Sequence, residues 1–147
     1  MKVEFDWRCF LIDFEKLKLN LILKQDPYCI KKTIYTYWFD EDVDIAPKQC
    51  IYFIICNGYC VYVGQSTNIK YRIDTHKRHL IFDKVIIQML TEDDDMNLAE
   101  RYWIQRILPP LNGSFVPFEN RHSGGPLKYK DVKNICDKHR EETYPLG

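Results

Sequence analysis

Two tyrosines, an arginine, a histidine and a glutamate stand at spacings suited to handling a phosphate group. Arg72 and His76 are four residues apart in a stretch that reads as helix, so their side chains share one face beside an apolar stripe of Ile69 and Ile73. A guanidinium grips phosphate through a planar fork that keeps its charge, and an imidazole positions water or exchanges a proton near neutral pH. Tyr52 and Tyr62 fall in two apolar runs on either side of Asn57-Gly58. Glu100 lies in a helical pattern in line with Ile104 and Ile107. A carboxylate on that side must find a companion, because burying it alone costs several kcal/mol. Magnesium is a good candidate, since it accepts one carboxylate with waters and phosphate oxygens, and manganese is its close substitute. A plain salt bridge to Arg101 or Arg106 is the other reading.

The elements that must position these groups follow from periodicity. Residues 50 to 56 and 60 to 64 read as strands from their β-branched and aromatic content, with Asn57-Gly58 a hairpin signal between them. Ser66, Thr67 and Asn68 can cap a helix running to about residue 78. A third strand is expected over 83 to 90, then an acidic loop and a helix over 95 to 107 that Pro109-Pro110 stops. Amphipathic helices are also expected at 10 to 24, ended by Asp26-Pro27, and at 129 to 141. Residues 33 to 48 mix aromatics with acids and carry no readable motif.

The hairpin imposes a condition on the two phenols. Side chains alternate along a strand, so a two-residue turn with regular pairing puts Tyr52 and Tyr62 on opposite faces. A three-residue loop or a β-bulge puts them on the same face. If both serve one site, one of those two irregularities must be present. Taken singly, each tyrosine reads as an ordinary sheet aromatic.

The chain as a whole has 147 residues, 46% of them apolar and 14% aromatic, enough for one compact domain. It has no apolar run of about 18 residues and opens on charged residues, which argues for a soluble, cytoplasmic protein without a membrane partner. Six scattered cysteines lack zinc-finger spacing and are expected to be reduced. Lysine plus arginine and aspartate plus glutamate both number 21, so the net charge of zero gives no hint of nucleic acid. The distribution is more telling: Lys70, Arg72, Lys77 and Arg78, with His76 and His79, form a basic segment, while Glu92 to Asp95 cancel it from elsewhere. That layout allows a basic groove, and it equally allows solvated helix faces.

Taken together these residues resemble the GIY-YIG nuclease family. Cys50-Ile51-Tyr52 stands where the first signature triplet belongs, Tyr62-Val63-Gly64 where the second does, and Arg72, His76, Glu100 and Pro110-Leu111-Asn112 follow in order. Cys50 and Val63 depart from the signature at positions that carry no chemistry. The resemblance covers about residues 49 to 113 and implies an α+β fold with a small, mainly antiparallel three-stranded sheet flanked by helices. It divides the chain into an N-terminal extension (1–48), a nuclease core (49–113) and a C-terminal extension (114–147), within one globular domain.

The activity so implied is magnesium-dependent hydrolysis of phosphodiester bonds, in DNA first, by an enzyme of restriction, phage or mobile-element type. Cleavage of RNA or of branched DNA is an alternative, as is a non-catalytic nucleic-acid binding module that kept the fold. In the family's scheme Glu100 holds the metal, Tyr52 activates the attacking water, and Arg72 clamps the phosphate. Tyr62 and His76 hydrogen-bond the phosphate or the nucleophile, Asn112 fixes the local loop, and Gly64 permits close backbone approach. Lys70, Lys77 and Arg78 are candidate phosphate contacts. No organic cofactor is implied, and monomer and homodimer are both open.

Overall fold

The computed structural model describes residues 26, 29, 31–56, 59–109, 111–112 and 130. Its elements run β1 (Ile34–Trp38), β2 (Cys50–Cys56), β3 (Tyr59–Ser66), α1 (Ile69–Lys77), β4 (Lys84–Met89) and α2 (Met96–Ile107). The helices expected at 10–24 and 129–141, and most of both terminal extensions, lie outside the described residues.

The strands form one four-stranded sheet in the order β1-β4-β2-β3, with every neighbouring pair antiparallel. The class is α+β. The expectation of three strands is corrected by β1, which pairs with β4 from Ile34↔Gln88 to Trp38↔Lys84. This edge strand belongs to the segment read as an N-terminal extension. Only Tyr37 within it is buried, so its sequence shows no alternation to read.

β2 is the inner strand around which the sheet is organised, and all seven of its residues are buried. Its unbroken apolar run reflects cover on both faces, where a half-exposed strand would alternate with polar residues. Ile51, Phe53 and Ile55 join Val63 and Ile86 in a core closed by Ala99, Trp103, Ile104 and Ile107 of α2. Cys50, Tyr52, Ile54 and Cys56 project the other way, into a core with Ile69 and Ile73 of α1, Leu80, Phe82, Val85 and Ile87. The two helices therefore cover opposite faces. The rings of Phe53 and Trp103 stand nearly perpendicular with centroids 5.4 Å apart, and Trp103 Nε1 donates to Gln88 Oε1 at 3.1 Å.

Local chemistry fixes the helix ends. Asn68 Oδ1 accepts from the Tyr71 N–H at the start of α1, and Asp95 Oδ1 accepts from Asn97 and Leu98 at the start of α2. At the far end of α2, Leu108 takes a left-handed conformation at φ 56°, with its N–H on Ile104 O. Pro109 follows and cannot continue the helix. The acidic loop is tied down: Asp94 accepts from Lys32 Nζ at 2.6 Å and from the Thr91 N–H at 2.7 Å. The described cysteines 29, 50, 56 and 60 are in no disulfide, and all are buried. Among the described residues no helix is long and apolar enough to cross a membrane.

Candidate functional site

The hairpin satisfies the condition on its phenols through a bulge. Cys56 pairs with Tyr59, which leaves two residues between the strands; Asn57 and Gly58 themselves lie outside the described residues. The register then slips: Ile55 pairs with Cys60 but Ile54 pairs with Tyr62, so Val61 is the extra residue. Tyr62 thereby lies opposite Ile54 and shares its face with Tyr52. The two phenol rings are 5.9 Å apart, centroid to centroid.

Across from them, α1 presents His76. Its Nε2 is 2.9 Å from the Tyr52 hydroxyl, and its ring lies 5.5 Å from the Tyr52 ring and 4.8 Å from the Tyr62 ring. The three rings form a cluster on one side of the sheet, with Tyr52 only 1% exposed and His76 6% exposed. Tyr62 is half-buried. Burial, then the Arg72 charge, then His79 push His76 down to about 4. The imidazole is therefore neutral at pH 7, and in its Nδ1–H tautomer Nε2 accepts the Tyr52 O–H.

Gly64 is what admits the Tyr52 ring. The two residues are cross-strand partners, and a Cβ at position 64 would sit 2.5 Å from both Tyr52 Cζ and Oη. The ring is enclosed and anchored on His76, so it has nowhere to yield. A glycine at the strand end is thus required by the tyrosine of the first triplet.

Arg72 lies one turn before His76 and is exposed. Its charge acts on His76 and also on Glu100, which is carried by the other helix. β3 is a sheet edge, so groups from α1 on one face and α2 on the other can meet past it. Glu100 is half-buried at the margin of the α2 core face and shares a turn with Ala99 and Trp103. Burial raises its pKa, while the Gln65 backbone and Arg72 pull it down. Among the described residues no cation forms a salt bridge with it, and Arg106 instead pairs with Asp26 at 2.8 Å.

Asn112 has a geometric role on the same edge. Its Oδ1 accepts from the Val63 N–H at 2.9 Å and its Nδ2 donates to Val63 O at 2.8 Å, while the Leu111 N–H reaches Val61 O. The carboxamide satisfies the outward backbone groups of an edge strand as a neighbouring strand would.

The basic side chains divide. At about 100° per residue, Lys70 and Lys77 fall on the flank of α1 away from Arg72. Lys77 Nζ donates to Glu41 O at 3.1 Å and sits over the Phe39 ring, and Lys70 lines a hollow with residues 43–47. Arg78 is exposed at the C-cap, on neither flank. His79, which the sequence placed only in a basic run, is exposed and acts electrostatically on His76.

A divalent cation fits this arrangement to a limited degree. Among the described residues no three His, Cys, Asp or Glu side chains are grouped to hold a metal. One half-buried carboxylate with no cationic salt-bridge partner is nevertheless the donor that magnesium accepts when water and substrate oxygens fill most of its shell. No family model, no curated protein and no solved structure matches this chain.

Proposed function

We propose that this protein is a metal-dependent endonuclease that hydrolyses phosphodiester bonds in DNA. The observation that carries the reading is the convergence of Tyr52, Tyr62 and His76 over Gly64, with Arg72 a turn away and its charge felt by Glu100 from the opposite helix. Two aromatic hydroxyls, one imidazole, one guanidinium and one carboxylate outside any described salt bridge suit a phosphodiester better than a carbonyl substrate, which would call for a nucleophile and an oxyanion pocket. The resemblance to GIY-YIG nucleases rests on these same positions and supports the same chemistry.

In this reading Arg72, exposed on α1, binds the scissile phosphate in a forked contact and stabilises its added charge. Tyr62 has surface left to hydrogen-bond that phosphate or the attacking water. Tyr52 is the inner member. A proton from the attacking water passes to Tyr52 Oη as the Tyr52 proton passes to His76 Nε2; the water oxygen bonds to phosphorus and the bond to the leaving 3′ oxygen breaks. One feature favours that transfer and one requirement attends it. Burial is the larger cause of the low His76 pKa, and phosphate on Arg72 would offset the second, electrostatic one, so the imidazole becomes more basic as substrate binds. Tyr52 is 1% exposed, so its hydroxyl must become accessible in the complex. Glu100 would hold the magnesium or manganese ion, which when bound supplies Lewis-acid stabilisation of the phosphate and leaving oxygen.

The test separates an enzyme from a binding module. Glu100→Ala should leave DNA affinity within a few-fold of wild type, read by fluorescence anisotropy, and abolish metal-dependent cleavage. Wild-type protein that binds DNA with no turnover under magnesium or manganese would favour a non-catalytic binding module.

A further inference from the structure

Gln65 follows Gly64 at the end of β3, and its carboxamide is only half used. Nε2 donates to Asn97 Oδ1 at 2.8 Å, which fixes the amide against α2, while Oε1 is buried and accepts no hydrogen bond. A buried carbonyl oxygen without a donor is costly, and native structures resolve such groups with water, an ion or a ligand. Asn97 is three residues before Glu100 in α2, so the residue that anchors Gln65 and the isolated carboxylate share one helix face. The Glu100 carboxyl also draws on the Gln65 backbone. One buried neutral oxygen and one carboxylate thus border the same seam between β3 and α2, with no described cation bridged to either.

We propose that Gln65 Oε1 is a second protein ligand, beside Glu100, for the divalent cation. The inference rests on the nuclease reading and adds a residue to it. The donor set is all oxygen, which suits magnesium and manganese and disfavours softer metals. A neutral second ligand leaves the ion a larger net charge than a second carboxylate would, which preserves its pull on a phosphate oxygen. It also accounts for a site with so few titratable groups, since a carboxamide contributes coordination without charge.

The test is titration of the full chain with Mn2+ alone, without nucleic acid, beside thermal melts with and without the ion. Gln65→Met removes the oxygen and keeps the length: Mn2+ binding should weaken about tenfold, while the metal-free Tm stays close to wild type, the relief of the orphaned oxygen offsetting the lost exposed bond to Asn97. Gln65→Glu should bind Mn2+ more tightly than wild type. Glu100→Ala should abolish binding. If Gln65→Met binds Mn2+ as wild type does while Glu100→Ala does not bind, Gln65 is no ligand and the metal reading stands. If Gln65→Met is weak only because its metal-free Tm has dropped, and Gln65→Glu binds no better, the residue is structural and the proposal fails. If wild-type protein binds no Mn2+, both the proposal and the metal reading fall.

Discussion

At the scale of single residues, the site is a set of mutually dependent placements. Gly64 exists for Tyr52, and Tyr52 is held by His76. Gly64→Ala should therefore act twice: a loss of about 1–3 kcal/mol in chemical denaturation, from a Cβ driven into an enclosed ring, and a far larger loss of cleavage than that implies. Unchanged stability would mean the ring can move aside. Glu100 shows the opposite balance, since burial disfavours its charge and the Gln65 backbone and the Arg72 charge offset that only in part. Glu100→Gln should raise the metal-free Tm while removing both activity and the stabilisation that added Mn2+ gives; a lower Tm would indicate a structural role. His76 makes a prediction in pH. Its folded pKa of about 4 lies below the ordinary 6.5, so between those values the unfolded chain takes a proton that the folded chain refuses. Stability should fall as pH drops from 6.5 to 4, with this residue contributing about 3 kcal/mol across the window. His76→Gln should flatten that part of the profile relative to wild type, and a parallel profile would show that the imidazole is not held neutral.

At the scale of elements, β3 explains why several signals sit close together in the sequence. An edge strand exposes one row of backbone groups, and Asn112 covers Val63 with a donor and an acceptor at once. Asn112→Ala should cost about 1–3 kcal/mol and speed hydrogen exchange at the Val63 amide by more than at neighbouring inner-strand amides. Equal protection there would leave Asn112 without the role assigned. Much of the fold was legible from the chain: β2 and β4 as apolar runs, α1 from its cap residues, α2 from its apolar period and the prolines after it. β1 was not, because Tyr35 and Trp38 are exposed and its partner β4 lies some fifty residues on, at Ile34↔Gln88. The bulge at Val61 was legible only as a requirement, since nothing in Cys60-Val61-Tyr62 announces a slip. Of the site, the Arg72 and His76 pairing followed from spacing alone. The enclosure of Tyr52 did not, because it depends on a helix packing over the hairpin. Gln65 gave no signal, having neither charge nor periodicity to mark it.

At the scale of the whole molecule, two helices on opposite faces of one sheet leave its β3 edge as the place where groups from both can meet. On a chain of zero net charge, the proposed site would rest on few cations: Arg72 is exposed and its charge reaches both His76 and Glu100, while Lys48 and Lys32 are paired with Glu92 and Asp94. DNA binding should therefore depend on salt with a shallow slope, reflecting few phosphate contacts, and a steep slope would point to a broader basic face. The central claim is catalytic, and the most direct measurement is incubation of the purified protein with supercoiled plasmid, with and without magnesium, beside Tyr52→Phe and Glu100→Ala variants. Magnesium-dependent nicking or linearisation by the wild type, lost in both variants, is the expected result. Plasmid, branched DNA and RNA all left intact by the wild type, or cleavage that survives in Glu100→Ala, would contradict it.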